Sequence, residues 1–284
     1  MKKVTSAVLG FLAVIGMMFS LAASASAEIK IGILPRLSKD EMISMFHPLA
    51  KHLERATGQK VVLVIPRDFE EFKKIVRAGE VDMAFSNPLI YVQLRKDVTI
   101  SPLALAVEPK GGAKFRGIII ANKASGIEQL ADLKGKRIAF VDKDSAAGYI
   151  FQVMLLNKAG FDVKNDFVTI FAKKHDNVVM SVFNKTADAG GLREDDLAKM
   201  KDKVDLEQVK IIAHTDYFPN WPIYSTPKLG KDVASKVKAA LLKLKPGSAE
   251  GGEVLNKANL TGFVDVSDKE YEQLRQAAKL AGAL

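Results

Sequence analysis

The sequence predicts an α/β fold in two lobes, each a mixed sheet covered by helices, facing one another across a cleft. Three observations lead there. Short apolar runs alternate with amphipathic stretches, the pattern of strands joined by helical crossovers. That rhythm restarts near Lys123, inside a first unit that the C-terminal helices close. Two strand-like segments cross between the units. Residues 28–122 with 215–284 are assigned to lobe 1 and residues 123–214 to lobe 2. In such sheets ligands bind beyond the carboxyl ends of the strands, which is where the cleft would lie.

Taken in order, "EIKIGILP" reads as a strand ending at Pro35. "EMISMFHPLAKHLERATG" is amphipathic, with Met42, Met45, Leu49 and Leu53 on one stripe and Gly58 as the stop. Pro48 inside it predicts a late start or a kink. "KVVLVIP" is a strand, "FEEFKKIVRAG" a helix and "VDMAFS" a third strand. "NPLIYVQLRK" opens a helix with Asn87 as N-cap and Pro88 at the first helical position. "TISPLALAVE" and "KFRGIIIAN" are longer strands around a "PKGG" turn. The second unit runs from "KASGIEQLADLKGKRIAF" through "DFVTIFA", "NVVMSVFNKT" and "ADAGG" to "VKIIAH". From "VASKVKAALLKLK" onward only helices and the short "TGFVDV" remain.

Residues 1–27 read as a cleavable signal peptide: Lys2-Lys3, an apolar core, and Ala25-Ser26-Ala27 before Glu28. The chain has no cysteine. That excludes disulfides, thiolate metal sites, a cysteine nucleophile and a lipid anchor at the cleavage point. Export without an anchor places the expected protein in the periplasm. The net charge of +9 is spread along the chain and is a mild hint toward anions. Nucleic acid is not an expected partner of an exported protein.

No catalytic centre emerges. Ser145, His175 and Asp176 could be assembled as a triad, but adjacent His and Asp point apart and Ser145 lies in no G-x-S-x-G elbow. The 4 histidines, His47, His52, His175 and His214, are scattered without metal-ligand spacing. No metal, cofactor or catalytic residue is therefore expected. The cleft loops after the second and third strands hold Arg67-Asp68-Phe69 and Ser86-Asn87-Pro88-Leu89-Ile90-Tyr91. In lobe 2 they hold Asp144 to Tyr149, His175-Asp176 and Gly190 to Arg193. Strand, small-residue turn and helix start in "VDKDSAAGYIF" form a common way to present free N–H groups to an anion. His175 opens a helix, where an imidazole can donate beside such groups. "HTDYFPNWPIY" at the second crossing supplies Tyr217, Phe218, Trp221 and Tyr224.

The run "SGIEQLADLKGKRIAFVDKDSAAGYIFQVMLLNKAGFD", then "FAKKHDNVVMSVFNKTADAGG" and "FPNWPI", resembles the phosphonate/phosphite-binding periplasmic proteins of ABC importers. "VDMAFSNPLIYV" and "LTGFVDVSDKEYEQLRQ" extend the resemblance over almost the whole mature chain. It implies a type II periplasmic binding protein, a Venus-flytrap that holds a small ligand between its lobes. It also implies a monomer that delivers the ligand to an inner-membrane ABC permease, or reports it to a membrane sensor protein. The family pattern D-P-x-S-T-S-G-Y holds phosphonate oxygens, and Ser145, Gly148 and Tyr149 match it while Ala146 and Ala147 depart. The resemblance also carries His175 and Asp188 into the ligand site, and puts Trp221 where an acidic residue is frequent. Phe69 falls near a family aromatic hydroxyl. Hydrogen bonds to charged groups contribute about 1.5–3 kcal/mol each, so two lost hydroxyls would weaken oxyanion binding by roughly two to four decades unless replaced. The amides of Ala146, Ala147 and Gly148 remain available, and Trp221 and Phe69 suit an apolar, aromatic or alkylated-cation portion of a ligand. The missing acid argues against a ligand ending in a primary amine.

Overall fold

A computed structural model describes residues 28–284, and the leader read over residues 1–27 lies outside them. Lobe 1 begins with β1 (Ile29–Ile33), whose side chains are almost wholly buried, as expected of a central strand. It pairs in parallel with β2 (Val61–Val64) and β3 (Met83–Phe85). The connecting helices are α1 (Lys39–Thr57) and α2 (Phe69–Arg77). α1 starts at Lys39 under a Ser38–Glu41 capping box and runs through Pro48 without interruption, so the late start expected from that proline does not occur. α3 (Pro88–Asp97) follows β3, and Asn87 caps it through Oδ1 to the Ile90 N–H at 2.9 Å. β4 (Ser101–Val107), β12 (Pro222–Ser225) and β13 (Gly262–Val264) complete the sheet on its antiparallel side, in the order β13-β4-β12-β3-β1-β2.

Lobe 2 is a separate five-stranded sheet in the order β10-β6-β9-β7-β8. Its members are β6 (Gly117–Asn122), β7 (Arg137–Phe140), β8 (Val168–Phe171), β9 (Ala189–Arg193) and β10 (Val209–His214). β7 runs parallel to β8 and β9, whereas β6 is antiparallel to β9 and β10. Because β6 hydrogen-bonds wholly inside this sheet, the lobe boundary expected at Lys123 moves back to Gly117. The run "KFRGIIIAN" looked continuous with lobe 1 because its apolar residues do not reveal which sheet they enter. The crossings themselves, β5 (Lys114–Phe115) and β11 (Phe218–Pro219), pair antiparallel as a two-stranded ribbon between the lobes.

After β7 the chain makes a wide turn before α4 (Phe151–Lys158). The Ile150 N–H donates to Ser145 O and the Phe151 N–H to Ala146 O, an i→i+5 pattern frequent at functional sites. Gly148 is required there, since a Cβ would lie 2.4 Å from Val141 Cγ2. The turn is held by Gln152, fully buried, whose Nε2 lies 2.7 Å from Ala147 O and 3.1 Å from both Ile118 O and Leu192 O. Phe151 then stacks on Phe218 of the ribbon at 3.9 Å and 18°. α5 (His175–Phe183) packs on the lobe-2 sheet, and α7 (Lys231–Lys243), α8 (Ala249–Ala258) and α9 (Glu272–Leu280) close lobe 1, with the short α6 (Glu194–Leu197) after β9.

One apolar cluster joins the lobes. It unites Phe72, Leu89, Tyr91 and Leu274 of lobe 1 with Ala146, Ala147, Ile150, Phe151 and Met154 of lobe 2. A Gln152→Leu variant keeps the volume but leaves three buried carbonyls without this donor. Its unfolding free energy, measured by urea denaturation, is expected to fall by about 1–3 kcal/mol; an unchanged midpoint would show that the amide does not hold the turn.

Candidate functional site

The carboxyl ends of β1, β3, β7, β8 and β9 converge between the lobes. Arg36, just after β1, is water-accessible yet ringed by protein. Its guanidinium carbon lies 5.4 Å from the centroid of the Trp221 ring, which in turn packs at 5.4 Å from Phe85. Among the described residues Arg36 has no hydrogen bond or ion pair. Burial lowers its pKa, Glu108 and Asp196 oppose that shift and Arg193 adds to it, and a guanidinium stays charged regardless. It is thus an exposed cation at the cleft without a partner among the described residues, free to pair with an anion.

The other charges here are matched. Arg193, at the end of β9, pairs with Glu108 across the lobes and with Asp195 at 3.1 Å. Its guanidinium lies 4.6 Å from the Phe115 ring centroid. Asp196 pairs with Lys199. The Arg193 N–H donates to His175 Nδ1 at 3.1 Å, which puts the imidazole proton on Nε2 and leaves that N–H without a protein acceptor among the described residues.

The turn after β7 offers further donors. The Ser145 hydroxyl accepts the Gly148 N–H at 3.2 Å. The N–H groups of Ala146 and Ala147, both residues buried, have no acceptor among the described residues. Buried amides rarely go unpaired, so this pair fits an acceptor brought from outside the chain. The two methyl groups face the inter-lobe apolar cluster, on which Phe69 and Trp221 also pack. The Tyr149 ring is held edge-on between Phe140 at 5.2 Å and Phe171 at 5.3 Å, and burial pushes its hydroxyl pKa up.

Three of the expected site residues are committed elsewhere. Asp188 lies at the amino end of β9, where it accepts the Arg137 N–H at 2.9 Å and pairs with that guanidinium. At strand rise it is about 13 Å from the turn that follows β7. The D-A-G match therefore marks an ion pair between strand starts. Tyr91 is wholly buried, donates to Asp268 Oδ1 at 2.6 Å, and packs on Tyr224 and Tyr271. Asn87 is taken up by its cap and by Asp144 O, 3.5 Å from its Nδ2. Conversely, Arg36 follows the first strand of lobe 1, outside the loops after the second and third strands to which the sequence pattern points. A basic residue right after a first strand was the available signal. Of the remaining histidines, His52 is satisfied by Glu250 and by Ala240 O, and His214 lies 3.3 Å from Glu194. No cluster of three potential metal ligands occurs among the described residues.

Burial lowers the His175 pKa below its ordinary value; Asp196 raises it, and Arg193 and Lys199 lower it. A group with a depressed folded pKa binds its proton more readily when unfolded, so its contribution to stability is complete above about pH 6.5. That contribution is lost as pH falls from there through the folded pKa. The thermal midpoint of the parent protein is expected to decline more steeply below pH 6.5 than that of His175→Asn; parallel declines would remove His175 from the account.

Residues 31–271 match the family model described as ABC transporter, phosphonate, periplasmic substrate-binding protein. The phosphate-import protein PhnD of Mycolicibacterium smegmatis is 27% identical over 277 residues, covering 90% of this chain and 86% of that one. The tetrathionate sensor histidine kinase TtrS of Salmonella typhimurium is 25% identical over 228 residues, which are 74% of this chain and 38% of the kinase. Among solved structures, PhnD1 from Prochlorococcus marinus in complex with methylphosphonate superposes with a TM-score of 0.74 at 18% identity, over 90% of this chain and 99% of that one. Its fold is that of the type II periplasmic binding proteins. No helix among the described residues is long and apolar enough to cross a membrane. The chain belongs to the family of periplasmic substrate-binding proteins of phosphonate ABC transporters.

Proposed function

We propose that the cleft of this importer component binds a small oxyanion of low net charge, phosphonate-like in its anionic group, with an apolar remainder against Trp221 and Phe69. The carrying observation is Arg36, a guanidinium stacked on Trp221 at the cleft, open to solvent and with no partner among the described residues. His175 Nε2–H and the amides of Ala146 and Ala147 supply neutral donors. Glu108, Asp195 and Asp196 stand against Arg193, Lys199 and Arg36, so the charges around the cleft balance without an excess of either sign. A balanced field of this kind favours a monoanion over a multiply charged ester. Both walls of the cleft come from one polypeptide, and a monomer is the binding unit in this reading. Binding, without turnover, accounts for every group described.

A second reading is favoured by the likeness to the sensor kinase, which spans 74% of this chain. The same cleft would then report occupancy to a membrane kinase instead of a permease, and capture of a permease by the purified protein in membrane extracts would decide against it.

Calorimetry against methylphosphonate, phosphite, phosphate, an alkylsulfonate and acetate tests the ligand class, and the 1 tryptophan of the sequence provides a fluorescence readout. Arg36→Ala is expected to weaken the best of these ligands about 10- to 100-fold, the worth of one charge-assisted hydrogen bond. Equal affinity in parent and variant would overturn the assignment of Arg36.

A further inference from the structure

The turn that carries Ala146 and Ala147 is gripped by lobe 1 at a residue that need not touch the ligand. We propose that Asp144 is a positioning residue that latches the two lobes together, so that closure is supported by the protein's own contacts across the cleft. Asp144 belongs to lobe 2 and is 9% exposed. Three donors reach it, all from lobe 1: Lys73 Nζ of α2 at 3.4 Å from Oδ2, Gln93 Nε2 of α3 at 3.1 Å from Oδ1, and Asn87 Nδ2 at 3.5 Å from the carbonyl. Lys73 is itself 8% exposed and is shared with Glu70 at 2.6 Å. Such a lysine is rarely buried unless paired.

Gln93 shows how far lobe 1 is committed to this contact. Its amide nitrogen also donates to Ala283 O at 3.2 Å. Both neighbours are acceptors, so the amide orientation is fixed, and Oε1 is left buried without a donor. An orphaned acceptor is costly, and the arrangement holds because the other end of the amide serves a buried carboxylate. Around this polar centre the seam is apolar: Phe72 and Val76 of α2 and Leu89 of α3 belong to the same buried cluster as Ala146 and Ala147. Separating the lobes would strip Asp144 of its donors and expose those methyl groups together.

The absence of cysteine allows a clean test, because Lys201→Cys in lobe 2 and Lys236→Cys in lobe 1 place unique spin labels on exposed positions. Inter-label distances are measured on the ligand-free chain. In the parent background a short-distance population is expected to dominate. Asp144→Ala should lower the ratio of short to long distances about tenfold, the worth of one charge-assisted hydrogen bond. Lys73→Met and Gln93→Leu should move it in the same direction, and they carry the test if Asp144→Ala does not fold. Opening in any of these folded variants supports the latch; parent-like distances in all of them overturn it. Since no ligand is present, failure here leaves the proposed ligand class standing. Failure of methylphosphonate to bind would likewise leave the latch standing.

Discussion

The wide turn from Ser145 to Phe151 is the constraint on which the rest of the molecule depends. An ordinary helical start would direct the residues after β7 back over their own sheet. Five-residue spacing of the hydrogen bonds lets Ala146 and Ala147 project into the seam while Phe151 stacks on the inter-lobe ribbon. Gln152 makes that geometry tenable by giving the Ala147 carbonyl a donor and by tying it to β6 and β9 through Ile118 and Leu192. Wide turns are uncommon because their hydrogen bonds are poorer, and they persist where side chains compensate. Here one amide compensates, at the cost of its own unpaired Oε1.

From that turn follows the electrostatics of the cleft. Burying the Arg193–Glu108 pair and Asp196 in a narrow space between lobes would be expensive if each charge were alone. Each has a partner, and the partners come from both lobes or from the following helical turn. Arg36 breaks the pattern. It stacks on Trp221 while open to solvent, and a cation on an aromatic face at an exposed site is worth only about 0.5–1 kcal/mol. In the proposed function, this unpaired guanidinium and the amides of Ala146 and Ala147 are the donors offered to an anion, without a large positive field.

Much of this was legible in the sequence, and the physical reasons for the rest are specific. Strands showed as apolar runs because central parallel strands are buried on both faces, and the helix starts at Asn87 and His175 showed through their position after such runs. Assignment of β6 to lobe 2 was not legible, because Ile118, Ile119 and Ile120 would be equally buried in either sheet. The D-A-G motif misled about Asp188, since a short motif gives the residue but not which end of the strand faces the cleft. Tyr91 was misplaced for a related reason: helical periodicity does not tell an outward hydroxyl from one turned to Asp268, far along the chain. Arg36, Glu108 and Arg193 form a constellation only through lobe contact, and no spacing in the chain encodes it.

The two alanines acquire a physical sense once the seam is considered. A serine or threonine at 146 or 147 would add a hydroxyl to the buried cluster that joins the lobes, where it would need a hydrogen-bond partner on closure. Such a site closes tightly on a ligand rich in acceptors and poorly otherwise. With methyl groups there, the seam closes by apolar contact, and in the proposed function the ligand satisfies two backbone amides and one guanidinium. Those donors demand an oxyanion but make few demands on its other atoms. In the proposed function the dry contact between lobes leaves selection among anions to Trp221, Phe69 and the shape they leave.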